Sequence, residues 1–180
     1  MQPTVQFEVW GLPGPQGSKS FKGINRVTGK AILAESSAKV APWRDQVVYM
    51  ARAHLNRTYA RWTPISGPVH LVIEFALPRQ KDAPKTLRTL PAVVPDLSKL
   101  LRATEDALTT AGVWDVDAWV VDTTMRKRYA PTDERHAAPA DLDHVGARIT
   151  VIPITVEQTL EEQPLAAQVI ASYERAAAVA

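Results

Sequence analysis

Apolar residues recur in two rhythms along this chain of 180 residues, and the rhythms sort it into strands and helices. In TVQFEVWGL, Val5, Phe7 and Val9 fall on one face, the two-residue period of a strand. PGPQGSKSFKG breaks that strand, and NRVTGKAILAESS reads as a short hairpin turning at Thr28-Gly29. Over 37–56 the period lengthens: Val40, Trp43, Val47, Met50 and Ala51 recur at helical spacing, and Pro42 suits a first turn. GPVHLVIEFALP is a β-prone run bounded by Gly67-Pro68 and Pro78.

A loop over 79–95, rich in proline and basic residues, leads to the clearest helix, over 97–110. Leu97, Leu100, Leu101, Ala107, Leu108 and Ala111 form its apolar stripe; Ser98, Arg102, Glu105, Asp106 and Thr109 form the polar one. Asp96 stands at its N-cap and Gly112 just past its end. AWVVDTTMRKRYA reads as a strand, 131–144 as a polar loop and GARITVIPI as a last strand. The Ala-rich tail carries its own stripe of Leu165, Val169, Ile170 and Tyr173. The order of elements predicts an α+β fold: a small mixed β-sheet packed with two main helices, in a domain over 1–156, plus a helical extension over 157–180.

Composition narrows the chemistry. No apolar run approaches the roughly 20 residues of a membrane span, and no secretory signal pattern opens the chain, so a cytoplasmic protein with no membrane partner is expected. Without cysteine there is no disulfide, zinc thiolate or cysteine nucleophile. The net charge of +2 says little, but its distribution says more. Basic clusters at 16–30, 79–90 and 126–128 flank acids gathered around 105–122.

GLPGPQGSKS departs from a phosphate-binding loop, because Ser18 separates Gly17 from Lys19 and two prolines remove backbone donors. The four histidines form no metal motif, and no G-x-S-x-G elbow exists. The carboxylates remain. Asp96 opens the long helix, and Asp115 and Asp117 follow its end. An antiparallel return of the chain would bring Asp122 towards Asp106; whether Asp117 reaches Asp96 depends on how the sheet crosses the helix. Hard divalent cations take one or two such carboxylates with water and substrate phosphate. The plain alternative is that Asp96 is a cap worth about 1 kcal/mol and Asp117 a turn residue.

PDLSKLLRATEDALTTAGVWDVDAWVVD resembles the central motif of the RusA family of Holliday-junction resolvases. It matches in order and spacing at Asp96, Leu97, Lys99, Leu100, Arg102, Asp106 to Thr109, Gly112, Asp117 and the strand at 120–122. The resemblance implies a homodimer that binds four-way branched DNA and hydrolyses phosphodiesters with Mg²⁺, Mn²⁺ being an alternative ion. By position it implies Asp96, Arg102 and Asp117 as catalytic residues. Asp96 and Asp117 would hold the metal, with Asp106 and Asp115 as further candidate ligands. Lys19, Lys22, Lys81, Lys85, Lys99, Arg126 and Arg128 are the cations available to phosphates. Phe21, Trp114 and Trp119 could stack on an opened junction, or pack in the core.

Two positions depart from the family pattern. Ser98 stands where the family carries its second aspartate, and Val116 where the first acid of an Asp-Asp pair is usual. Either Ser98 holds a metal-bound water, or another acid (Asp106, Asp115 or Glu74) compensates, or cleavage is weakened. The last case leaves a branched-DNA-binding protein with little or no catalysis.

Overall fold

A computed structural model describes residues 2–17, 19–35, 37–82, 84, 89–131 and 142–155; for 19–22 and 32–35 only the backbone is described. The tail predicted over 157–180 lies outside these residues, as do Lys85 and His136. The elements run β1 (Val5–Trp10), β2 (Lys19–Ile24), β3 (Ala31–Glu35), α1 (Val40–Thr58), β4 (Val69–Leu77), α2 (Leu97–Ala111), β5 (Val120–Tyr129) and β6 (Gly146–Pro153). A single 3₁₀ turn, Asp117–Trp119, precedes β5, so the stretch read as one strand from Ala118 begins with a turn.

Four strands form a mixed sheet in the order β1-β6-β4-β5, and β2 and β3 pair as a separate hairpin. β4 and β5 are parallel, which obliges the chain to cross over between them, and α2 is that crossover. The other pairs of the sheet, β4 with β6 and β1 with β6, are antiparallel. The fold is thus α+β with a mixed sheet and two main helices.

Both helices cover one face of the sheet. Trp43, Val47, Ala51 and Leu55 of α1 and Leu100, Ala103, Ala107 and Leu108 of α2 meet Leu71, Ile73 and Phe75 of β4 in a single buried core. Leu100 and Leu108 are fully buried, each contributing about 2 kcal/mol of transfer free energy. Thr104 sits polar within this core, but its hydroxyl accepts the Trp43 indole N–H at 3.1 Å and donates to the Leu100 carbonyl at 2.9 Å. Buried polar groups satisfied in this way fix how the helices face each other.

The N-terminal loop after β1 is drawn against both helices. Gly14 comes so near the Lys39 carbonyl that a β-carbon there would lie 2.0 Å from its oxygen, so only glycine permits the approach. The Gln16 amide then donates to the Lys99 carbonyl at 2.9 Å. The loop preceding the β2–β3 hairpin is therefore anchored to the first turn of α2.

The sheet face without helices carries a row of alternating charge. Register sets Glu8, Arg148, Glu74 and Arg126 side by side across β1, β6, β4 and β5. Arg148 bonds Glu8 at 3.0 Å, and Arg126 pairs with the buried carboxylate of Glu74.

Candidate active site

Asp96 occupies the N-cap of α2 in extended conformation, but its carboxylate makes no capping bond to the helix. It pairs with Lys99 at 2.9 Å, one turn on. The Lys99 ammonium, by hydrogen bond and by charge, holds the Asp96 carboxyl below the usual carboxylate range, and Lys127 adds a smaller pull. The loop before it includes a cis Val94-Pro95 peptide.

Ser98 and Arg102 follow on the exposed side of α2, and Glu105 lies on the same stripe, half-buried. Gly112 ends the helix in the left-handed region at φ 79°, a conformation suited to glycine. The Trp62 indole N–H donates to the Gly112 carbonyl at 2.8 Å, and Trp114 donates to the Thr109 hydroxyl at 2.8 Å. Trp114 is 1% exposed, so it packs in the core and is not a stacking surface. These bonds fix the turn that delivers Asp117 back towards the helix.

Asp117 then comes near enough to Glu105 to perturb it. Burial raises the Glu105 pKa first, and the charges of Asp117 and Asp106 raise it further, against an opposing effect of Arg102. Acids brought together against their own repulsion favour a cation between them. Glu105 was legible as a polar-stripe residue, but nothing in the linear pattern announced its approach to Asp117.

The expected ligands are thus divided along α2. Asp96 interacts with lysines at its N-terminus, whereas Asp117 acts on Glu105, nine residues along and roughly 13 Å up the helix axis. Asp106 is engaged by Arg44, which also donates to the Gln16 side chain at 3.0 Å. Asp115 is exposed. Among the described residues, no group of three or more His, Cys, Asp or Glu side chains is arranged to hold a metal ion.

Of the two further acids, Glu74 is held by Arg126 on the helix-free face, where Arg128 also approaches it at 3.8 Å. Asp122 faces His70 at 3.5 Å, in register with it across β4 and β5. Strand alternation therefore turns Asp122 away from α2, so the expected approach to Asp106 does not occur. Arg126 and Arg128 share that helix-free face, while Lys99 and the exposed Lys81 remain at the surface. The backbone of Lys19 and Lys22 lies in β2.

The structure thus presents a small α+β domain with acids and bases strung along one helix and the turn beyond it. The chain matches the family described as Endodeoxyribonuclease RusA over residues 13–135, more than half its length, and belongs to that family. The family is one of Holliday-junction resolvases, so nuclease activity and junction binding come with membership. The match spans the loop after β1, both helices and all of β5. No curated protein matches the chain. Among the described residues, no helix is long and apolar enough to cross a membrane.

Proposed function

We propose that this chain is a Mg²⁺-dependent, structure-selective endodeoxyribonuclease. It resolves four-way DNA junctions by paired phosphodiester hydrolysis, as a cytoplasmic homodimer acting in recombination and repair. The observation that carries the reading is the family match over 13–135, which contains every acid and base of the α2 stretch. A two-fold dimer would present identical sites to the two equivalent strands of a junction.

The donor set fits a hard cation. Asp96, Asp117 and Glu105 offer only oxygen, and one or two carboxylates with water and phosphate suffice for Mg²⁺. When bound, the ion supplies polarisation of a phosphoryl oxygen and acidification of a water. Asp117, with Glu105 beside it, would hold the ion towards one end of α2, and Asp96, kept ionised by Lys99, would offer a further carboxylate at the other. Arg102, exposed between them along α2, stabilises negative charge building on the scissile phosphate. Lys19, Lys22, Lys81, Lys85 and Lys99 hold flanking phosphates.

Cleavage of a synthetic four-way junction tests the residue roles. Asp96→Asn and Asp117→Asn should each lower the single-turnover rate by about a hundredfold or more while junction binding persists, as expected when groups acting on the transition state are removed. Wild-type rates in both variants would remove these residues from the site.

Ser98, and the absence of a three-ligand group among the described residues, favour a second reading in which the fold binds branched DNA but cleaves it weakly. Ser98→Asp distinguishes the two. A large gain in nicking supports the weakened-enzyme reading, and an unchanged rate supports a site already complete without that acid.

A further inference from the structure

The basic run at 126–128 is divided by the sheet. Arg126 and Arg128 lie in register with Glu74 and Ala76 on the helix-free face. Lys127 lies in register with Phe75, whose ring belongs to the core beneath the helices. Alternation therefore sends Lys127 to the side of α2.

There its ammonium donates to two carbonyls of the loop that leads into Asp96: Val93 at 2.5 Å and Pro95 at 3.0 Å. Packing does little to hold this loop. Val93 and Val94 are 40% and 80% exposed, and with Pro95 they border an open cleft of about 490 Å³. A charged donor bridging two carbonyls is a stronger restraint than neutral hydrogen bonds.

We propose that Lys127 is a positioning residue: it clamps the 93–95 loop to β5 and so fixes where Asp96 stands at the head of α2. The proposal rests on the nuclease reading for its catalytic consequence, but the clamp itself does not depend on that reading. Lys127 acts through the backbone of the loop, and Arg can replace it because a guanidinium also spans two carbonyls.

Two measurements on the full chain test this. The first is metal-free amide hydrogen exchange over residues 90–100 in wild type, Lys127→Met and Lys127→Arg. Exchange there should quicken about tenfold in Lys127→Met, as expected for the loss of two hydrogen bonds. It should return towards wild type in Lys127→Arg, with α1 unchanged in all three. Unchanged exchange over 90–100 in Lys127→Met, or faster exchange everywhere, would overturn the clamp.

The second is Mn²⁺ affinity of the DNA-free protein. Removing a cation near a cation site strengthens binding if Lys127 acts by charge alone. Removing a clamp weakens it, and a several-fold weaker affinity in Lys127→Met is expected. A tighter affinity would contradict the proposal. If wild type fails to cut junctions while exchange behaves as stated, the nuclease reading fails and the clamp stands.

Discussion

Glu105 shows what a single residue reveals about this surface. Its carboxyl is half-buried and faces Asp117 and Asp106, and both burial and like charge raise its pKa above the ordinary 4.5. The ionised form is therefore less favourable in the folded chain than in the unfolded one. That cost is present at neutral pH and disappears as pH falls below 4.5, where both states are protonated. Glu105→Gln removes it. Without divalent metal, the variant should melt about 1–3 °C above wild type near pH 7.5, the scale of a fraction of a kcal/mol in a chain of this size. The gap should close towards pH 4.5 in thermal melts at both pH values. A variant melting below wild type at neutral pH would show that Glu105 is stabilised by partners and not strained by neighbours. At this scale the sequence was informative where the motif was local: Asp96 at the cap, Gly112 at the helix end and Asp117 beyond it stand where spacing put them. Glu105 gained its meaning only when the 3₁₀ turn brought Asp117 back to the helix.

The elements were legible because each carries its own period. The stripe of α2 and the continuous run of β4 needed no tertiary information, and the helix ends at Ala111, one residue beyond expectation. What could not be read was which faces meet. Parallel pairing of β4 and β5 turns Asp122 to His70, and it splits Arg126 and Arg128 from Lys127. Arg126 is joined to a carboxylate that is only 5% exposed, so part of its work is structural. Arg126→Ala leaves Glu74 with a weaker set of partners. It should cost about 1–3 kcal/mol of stability, the penalty for leaving a buried charged group short of a hydrogen-bond partner. Denaturant unfolding checks this, and a loss below a few tenths of a kcal/mol would show that the row of charges carries little of the sheet's stability.

On the scale of the whole molecule, the fold sets a helix-covered face against an open, charged one, and places the acids of α2 at the exposed edge of the former. The α+β class and the two-helix core followed from the order of periods, and the hairpin turn from the local Thr28-Gly29 signal, although β2 (Lys19–Ile24) lies ahead of the stretch read as that hairpin. Strand order in the sheet depends on long-range pairing that no local pattern encodes. The central claim is that this framework cuts junctions selectively and needs a divalent metal to do so. Its most direct test is single-turnover incubation of the wild-type chain with a four-way junction and a linear duplex of matched sequence, each with Mg²⁺ or with chelator. The account predicts paired nicks of like polarity in the junction with Mg²⁺, none with chelator and little cutting of the duplex. Binding of the junction without Mg²⁺-dependent nicks, or equal cutting of both substrates, would contradict it.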